Sequence, residues 1–308
     1  MSQQSLVIKE HIVIWAKLGR LPFHSVGVMP FVLGIVIAWS QDYAVNWGLA
    51  VLSTLAVVLI MLATYLGGEY YDYETDSLNA QFNKFSGGSR VLQTGRVARR
   101  PVLVAAVASA VIAAVIGLVI LFYYKTGPYT IPLGAFGLIC GYFYSSKPFR
   151  WAYTGIGEIL IGICYGWLTV NSAYYLQTGT FDIVPTLASI PIAISIFLVI
   201  FINEFPDYVS DRMSNKRNLV VRMGQDRAAV LYIVMATLCF LSVPLGVLGG
   251  VPKLMSFLWL IPMALVVRNV VALRKGDYKE SRALEAVCGV TLILNLGTTL
   301  LYIIAFAV

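Results

Sequence analysis

The sequence predicts an all-α protein that crosses a membrane with about nine helices. Of its 308 residues, 59% are hydrophobic and only 12% are charged, and the mean hydropathy is +0.80. Soluble globular proteins carry roughly 25% charged residues, so half of that fraction in a chain of this length excludes a soluble fold. Apolar runs of about 18 or more residues recur along the chain, which is typical of helical spans, whereas a membrane β-barrel would show alternating segments of about 10 residues.

The apolar runs form nine predicted spans in a single membrane domain, residues 1–308, with no soluble appendage. The first run follows Lys9, Lys17 and Arg20, as in a signal peptide, but it contains Pro22 and Pro30 and ends without a small-x-small cleavage site. We therefore expect this run to be a retained transmembrane helix. The predicted spans are 22–40, 47–67, 102–123, 129–145, 155–176, 183–203, 227–247, 252–270 and 284–307.

Lysine and arginine residues alternate between the loops as the positive-inside rule requires. With a cytoplasmic N-terminus, 20 of the 22 basic residues fall on the cytoplasmic face, and only Lys125 and Lys253 fall on the other. The chain is therefore predicted to be an integral protein of a bacterial or archaeal cell membrane, with its long loops 68–101 and 204–226 in the cytoplasm. Orientation and attraction to anionic lipid headgroups account for the net charge of +7, so membrane lipid and no nucleic acid is the expected partner of this face.

All of the four cysteines lie in apolar runs: Cys140, Cys164, Cys239 and Cys288. None has a partner at C-x-x-C spacing, which argues against a zinc site or a disulfide. We therefore expect small buried thiols.

Seven of the 15 acidic residues fall in two short windows, each at the end of a predicted span. If the second span continues as a helix through the first window, Glu69, Asp72 and Asp76 lie within about 60° of one another on one face. Glu74 then points elsewhere. Such clustering indicates a site, because ordinary loop charges would be scattered.

The second window repeats this spacing on the sixth span. Asn203, Asp207 and Asp211 follow one another at intervals of four residues, and Pro206 is expected to kink the helix there. The alternative for both stripes is that they pair with the surrounding basic loops as ordinary surface charges. Three acids in or near these windows are expected to be solvated: Glu74, Glu204 and Asp226.

Carboxylates at the edge of a membrane need a cation to compensate their charge. A carboxylate in a membrane costs roughly 2.5 kcal/mol or more on insertion scales, so several of them oppose folding unless they are compensated. Oxygen ligands without histidine or cysteine favour Mg2+ or Ca2+ over zinc, and Mg2+ commonly bridges carboxylates to substrate phosphates. The pattern therefore predicts a site for Mg2+ and a diphosphate, with the remaining charge neutralised by Arg90, Lys147, Lys216 and Arg217.

Two segments resemble the signatures of the UbiA superfamily of intramembrane aromatic prenyltransferases. Residues 68–76, Gly-Glu-Tyr-Tyr-Asp-Tyr-Glu-Thr-Asp, resemble N-x-x-x-D-x-x-x-D, and residues 203–224 resemble D-x-x-x-D followed by G-K-R-T/N-L-x-V-R-x-G. Segments 86–95, 144–148, 155–158 and 174–179 are similar to the branch that makes menaquinone precursors. Two positions depart from the signatures: Gly68 replaces asparagine, and Asn215 replaces glycine.

The resemblance implies nine helices around a central cavity, with the acids on cytoplasmic caps. It implies Mg2+-assisted transfer of a polyprenyl group from a polyprenyl diphosphate to an aromatic acceptor, and the menaquinone-like segments favour 1,4-dihydroxy-2-naphthoate. The implied catalytic metal ligands are Asp72, Asp76, Asp207 and Asp211, with Glu69 as a further metal ligand. The implied diphosphate-binding residues are Arg20, Arg90, Lys147, Asn203, Lys216 and Arg217, and the implied substrate-pocket residues are Tyr71, Tyr144, Ser145, Tyr175 and His24.

Some of these residues have structural alternatives. Tyrosines such as Tyr144 would stabilise an allylic cation by cation–π contact, but tyrosines also form the aromatic belt at membrane interfaces. His24 would assist deprotonation of the acceptor, or it is simply a buried structural histidine.

Other functions remain as alternatives at this stage. A prenyltransferase with a different quinone, phenolic or lipid acceptor would share these motifs. A divalent-cation transporter would need acids near the bilayer midplane, whereas Glu158 and Glu285 are the only acids inside the predicted spans and both lie close to the cytoplasmic starts of those spans. A CDP-alcohol phosphotransferase would need a D-G-x-x-A-R run that this sequence lacks, and a soluble prenyl-diphosphate synthase is excluded by composition.

Overall fold

The computed structural model describes residues 3–80 and 82–308, and every regular element in this part of the chain is a helix. Eight helices among these residues are long and apolar enough to cross a membrane. The predicted span 129–145 is a shorter apolar helix of 13 residues, about 20 Å long at the usual rise per residue. The apolar helices, called helices 1 to 9 in chain order, are Leu21–Ser40, Trp47–Tyr71, Arg99–Tyr124, Thr130–Tyr142, Gly157–Thr178, Ile183–Asn203, Gln225–Leu248, Met255–Lys275 and Ser281–Ala307. The predicted all-α, polytopic membrane fold is confirmed.

Helices 1 and 6 form the middle of the bundle. In each of them, 56% of the apolar 18-residue segment that could cross the membrane is buried, compared with 28% in helices 3, 7 and 8. Helix 1 packs on helices 5 and 9, helix 6 packs on helices 5, 7 and 9, and helix 2 packs mainly on helix 3. The outer helices expose apolar side chains such as Phe122 and Leu245, as a surface in contact with lipid requires.

Local signals set several helix ends. The side chains of Asn46 and Asp182 accept hydrogen bonds from the backbone N–H groups of Leu49 and Val184, which caps the starts of helices 2 and 6. Gly179, with a left-handed φ of 75°, ends helix 5. Within helix 5, residues Ile163–Leu168 form a π-helical turn, a feature that often marks functional sites.

Three short helices pack together at one end of the bundle: Tyr73–Leu78, Tyr208–Met213 and Leu219–Met223. We call this end, with the loops 79–98 and 204–224, the acid face. The first stripe is not one continuous helix, because helix 2 ends at Tyr71. The second stripe is interrupted around Pro206, where a kink was expected: helix 6 ends at Asn203 and the next short helix begins at Tyr208.

The interruptions nevertheless preserve the spacing within each pair of aspartates. The backbone N–H of Asp76 donates to the carbonyl of Asp72, and that of Asp211 donates to the carbonyl of Asp207, both at 2.8 Å. Each pair therefore spans one helical turn, which places its two side chains on the same side of the chain.

Candidate active site

The two acid windows meet at the acid face, although about 130 residues separate them in the sequence. The Asn79 side-chain amide, one residue beyond the first short helix, donates to Asp207 Oδ1 at 2.6 Å and the short helices that carry Asp76 and Asp211 are in contact. The first and second signatures therefore form one site.

Asp72 is held by two hydroxyl groups from the segment between helices 4 and 5. Ser145 Oγ donates to Asp72 Oδ2 at 2.5 Å, and the Tyr153 hydroxyl donates to Oδ1 at 2.7 Å. The Arg150 guanidinium stacks over the Tyr153 ring, 3.6 Å from its centroid. Of the residues that contact Asp72, only Ser145 is predicted from the sequence to belong to the site.

Asp76 lies under the glycine-rich loop that follows the first window. A Cβ atom at Gly88 would lie 2.3 Å from Asp76 Oδ2, so this loop approaches the carboxylate more closely than any other residue type would allow. Arg90 donates to the Asp76 backbone carbonyl. Burial, and secondly the charge of Asp72, raise the pKa of Asp76 to about 7.

The second pair of aspartates is similarly enclosed. Asp207 Oδ2 accepts the Gly87 backbone N–H at 3.4 Å, and burial raises the pKa of Asp207. Asp211, which is 1% exposed, accepts from the Asn218 amide at 2.7 Å and lies 3.3 Å from Lys216 Nζ. Burial raises the pKa of Asp211 to about 6, even though Lys216 opposes this shift.

Glu69 is buried and faces the same loop. Its two carboxylate oxygens accept hydrogen bonds from the backbone N–H and the hydroxyl of Ser89, both at 2.7 Å. Arg20 Nε lies 3.6 Å from Glu69 Oε1. Glu69 thus ties the loop to helix 2 and to the start of helix 1.

The structure brings three of the six predicted diphosphate-binding side chains to the acids: Arg20, Arg90 and Lys216. Burial alone would lower the pKa of Lys216, but Asp211, Asp72 and Asp207 raise it above its ordinary value, so this lysine is a cation. The other three are placed differently: Asn203 is buried and its Oδ1 has no hydrogen-bond partner, while Lys147 and Arg217 are exposed.

An apolar cavity of about 320 Å³ lies among helices 1 to 5. Tyr144 and Tyr165 line it, and Ser145, the residue after Tyr144, holds Asp72. The remaining predicted pocket residues are not in its wall. Tyr71 stacks edge-on with Tyr70 at the end of helix 2, Tyr175 packs with Tyr129 and Phe181 at the opposite end of helix 5, and His24 is buried against Tyr65.

A wider groove of about 740 Å³ borders the acids on the side of the N-terminal helix, Gln3–Leu18. Arg20, Arg90, Lys17 and Lys84 line this groove together with apolar side chains such as Phe82. The acid cluster is therefore linked to a basic groove through Arg20 and Arg90 and to an apolar cavity through Ser145 and Tyr144.

The expectation that Glu204 is solvated is wrong. Glu204 is 5% exposed, and it lies beside Glu158, which is 0% exposed and accepts the Leu219 backbone N–H at 2.6 Å. Burial and the neighbouring Glu158 raise the pKa of Glu204 well above its usual range. Glu74 and Asp226 are exposed, as expected.

The acid cluster fits a divalent cation by its chemistry. Its donors are carboxylate oxygens, and the raised pKa values of Asp76 and Asp211 show that the nearby cations leave buried negative charge uncompensated. Among the described residues, however, no three acidic, histidine or cysteine side chains already converge closely enough to hold a metal ion. The aspartates would have to turn toward the ion and exchange some of their present hydrogen bonds for it.

The chain is similar to known membrane prenyltransferases. The model of the UbiA prenyltransferase family matches residues 27–296. A 1,4-dihydroxy-2-naphthoate octaprenyltransferase of Bacillus subtilis is 27% identical over 264 residues, covering 86% of this chain and 81% of the relative. A 2-carboxy-1,4-naphthoquinone phytyltransferase of Synechocystis is 23% identical over 235 residues, covering 76% of this chain and 74% of the relative.

A solved structure shares the fold. A UbiA homolog from Archaeoglobus fulgidus, bound to GPP and Mg2+, superimposes with a TM-score of 0.66 at 13% identity, covering 94% of this chain and 99% of that one. The family match extends over most of the chain, and it includes both acid windows. The chain therefore belongs to the UbiA prenyltransferase family and is an integral membrane prenyltransferase that is similar to the naphthoate prenyltransferases of the menaquinone-type branch.

Proposed function

We propose that the protein transfers a polyprenyl group from an allylic polyprenyl diphosphate to 1,4-dihydroxy-2-naphthoate. The observation that carries the proposal is the position of the acids and Lys216 beside an apolar cavity, joined through the consecutive residues Tyr144 and Ser145. A diphosphate needs the charged region, and an apolar prenyl chain needs the cavity. The relatives named above support naphthoate as the acceptor.

The charged residues would act on the diphosphate. Mg2+ held by Asp72, Asp76, Asp207 and Asp211 would supply Lewis-acid stabilisation of the leaving group. Lys216 and Arg90 would bind the diphosphate oxygens, and Arg20 would join them from the edge of the basic groove. With the cationic residues at the groove and the prenyl chain in the apolar cavity, the diphosphate would leave toward water while the prenyl chain stays in the cavity.

The cavity would protect the allylic cation from water. Tyr144 and Tyr165 present aromatic rings to it, and each cation–π contact is worth about 0.5–2 kcal/mol. As the new C–C bond forms at the ring carbon that bears the carboxylate, the C–O bond to the diphosphate breaks and the carboxylate leaves as CO2. Arg150, which stacks on Tyr153 beside Asp72, would attract that carboxylate.

A direct assay tests this proposal. Purified protein in detergent is incubated with a labelled prenyl diphosphate and a panel of aromatic acceptors. We expect prenylated product from 1,4-dihydroxy-2-naphthoate, accompanied by CO2 release. If only a different phenolic acceptor gave product, the protein would still be a prenyltransferase, but 1,4-dihydroxy-2-naphthoate would not be its acceptor.

The transport alternative has little support in the fold. The acids of the apolar helices lie near their ends, for example Glu69, Glu158 and Glu285, so the described residues place no acidic path across the middle of the bundle.

Mg2+ dependence should vary with pH. Activity should vanish in EDTA and return with Mg2+, while zinc should serve poorly because the donors are all hard oxygens. Protons compete with Mg2+ for Asp76 and Asp211, whose pKa values are raised to about 7 and about 6. Apparent Mg2+ affinity should therefore rise as pH increases from about 6 to about 8. Titration of thermal stability with Mg2+ at several pH values measures this.

The metal-free protein should show the opposite trend. A carboxyl group whose pKa is raised by folding disfavours the folded state once it ionises, so Tm without Mg2+ should fall as pH rises through the range from about 4 to about 7. Full activity in chelator, or Mg2+ affinity independent of pH, would contradict the metal site.

Topology can be tested with two cysteine variants. We propose that the acid face is cytoplasmic, so a membrane-impermeant thiol reagent should label Lys84→Cys only from the cytoplasmic side. Lys125→Cys, in the loop between helices 3 and 4, should be labelled only from outside. Both lysines are exposed and therefore accessible to the reagent. The reverse pattern would invert the orientation.

Gly68 has room for the asparagine of the family signature. A Cβ atom at this position would lie 3.8 Å from Ser145 Oγ and 3.9 Å from Asp72 Oδ2, which are ordinary contacts, so Gly68→Asn should be tolerated. Glu69→Ala should lower turnover about tenfold, because Ser89 and Arg20 lose their partner. Since these contacts do not involve position 68, we expect the same loss in both backgrounds.

A double-mutant cycle on turnover measures the coupling between positions 68 and 69. A much smaller loss for Glu69→Ala in the Gly68→Asn background would show instead that Glu69 substitutes for the missing amide at the metal site. Glu69→Gln serves as the control that keeps hydrogen-bonding capacity and removes the charge.

A further inference from the structure

Two cysteines meet in the wall of the apolar cavity. Cys140, near the end of helix 4, and Cys164, in the π-helical turn of helix 5, both line the cavity. Their thiols face each other closely enough to interact electrostatically, and helix 4 packs directly on the π-helical turn that carries Cys164. The sequence does not indicate this pair, because 24 positions separate the two residues.

The other two cysteines lie away from the cavity and contact backbone carbonyl groups. Cys239 and Cys288 are each 0% exposed and do not line the cavity. Cys239 Sγ donates to the Pro191 carbonyl at 3.3 Å, and Cys288 Sγ contacts the Ile202 carbonyl at 3.7 Å. The molecule therefore contains an internal control for any reaction of the cavity thiols.

We propose that Cys140 and Cys164 form a redox-active thiol pair, which apolar quinones entering the cavity oxidise to a disulfide that joins helix 4 to helix 5. Each thiol gives up one hydrogen, the S–S bond forms, and the two electrons and two protons reduce the quinone to a hydroquinone. The reaction thus needs no other oxidant.

The polarity of the cavity selects the oxidant. Its wall near the thiols is formed by residues such as Ile60, Leu138 and Ile161, so an uncharged quinone can enter while a charged peptide such as glutathione is excluded. A disulfide formed there would be shielded from the charged thiols that keep cytosolic cysteines reduced.

The disulfide would also alter the cavity. A disulfide bond is about 2.05 Å long, much shorter than the separation of two thiols in van der Waals contact, so its formation draws helix 4 and helix 5 together. The oxidised protein should therefore hold the cavity in a fixed, narrower state. Formation of the disulfide does not depend on the proposed function, and only its effect on turnover does.

The experiment compares two oxidants on the full-length protein in detergent. Wild type is treated with 1,4-naphthoquinone or with oxidised glutathione, denatured, alkylated and mapped by mass spectrometry under non-reducing conditions. We expect naphthoquinone to link the Cys140 and Cys164 peptides, glutathione to leave them free, and Cys239 and Cys288 to be alkylated in both samples. Dithiothreitol, a small uncharged reductant, should reverse the link.

Two variants separate the pair from general oxidation. Cys140→Ser should abolish the link, whereas Cys239→Ser should retain it, and thermal unfolding of each variant checks that it is folded. A quinone adduct on one cysteine in place of the disulfide, or four free thiols after treatment, would overturn the proposal.

Turnover provides a separate readout. Oxidation should lower the prenyl-transfer rate of the wild type at least about tenfold. The same treatment should leave the rate of Cys140→Ser unchanged. A disulfide found by mapping without loss of turnover would confirm the thiol pair and place the substrate outside this cavity. Failure of the proposed function is therefore distinguishable from failure of the thiol pair.

Discussion

Replacing Asp72 or Asp207 by alanine should lower kcat by at least about 100-fold. Each carboxylate is one of the four proposed to hold Mg2+ against the leaving diphosphate, and a loss of ~2.7 kcal/mol of leaving-group stabilisation already corresponds to a factor of 100. Prenyl transfer measured with labelled diphosphate at saturating Mg2+ gives the effect directly.

The matched control is Glu74→Ala. Glu74 lies between the two aspartates of the first window but is exposed, so its loss should leave kcat within about twofold. Folding should survive in all three variants, because the acids lie at the end of the bundle and outside its hydrophobic core. Equal activity in Asp72→Ala, Asp207→Ala and Glu74→Ala would show that the two windows are ordinary charged loops.

Gly88→Ala should reduce turnover by a factor on the order of 100, although residue 88 carries no functional group. Its φ of 72° is left-handed, which costs a residue with a Cβ atom roughly 1–2 kcal/mol. The new Cβ would also lie 2.3 Å from Asp76 Oδ2, so the carboxylate or the loop must move, and a displacement of about 1 Å at a reacting site can cost a factor of 100.

Gly95→Ala tests the backbone cost alone, without the close contact to a carboxylate. Gly95 has a φ of 70° in the same loop, but a Cβ atom there would meet nothing within 4 Å. This variant should carry the same backbone cost and lose little turnover. If the two variants behave alike, backbone strain alone accounts for the loss, and the close approach of Gly88 to Asp76 has no functional meaning.

Composition and motif spacing are sufficient to predict the fold class and the residues of the acid cluster. Long apolar runs must form helices in a membrane, because lipid offers no hydrogen-bond partners to the backbone, so composition and run length were sufficient. The acid windows were visible for a related reason, since Asp72, Asp76, Asp207 and Asp211 stand out as charges at the ends of such runs.

Tertiary contacts were needed to identify other residues that surround those acids. Tyr153 and Asn79 reach the carboxylates from separate segments of the chain, and nothing in their local sequence distinguishes them from other polar residues in loops. Hydropathy likewise assigned Glu204 to solvent, because a residue next to a predicted loop is usually exposed. Its burial beside Glu158 depends on how helices 5 and 6 pack.

The residues of the cavity were likewise only partly predictable from the sequence. The sequence contained its aromatic residues, but it did not separate Tyr144, which lines the cavity, from Tyr175, which lies at the far end of the same bundle. Cys140 and Cys164 looked like unrelated buried thiols for the same reason. Periodicity reports which face of a helix is apolar, whereas contact between two helices depends on their relative rotation and depth, which are set by packing of the whole bundle.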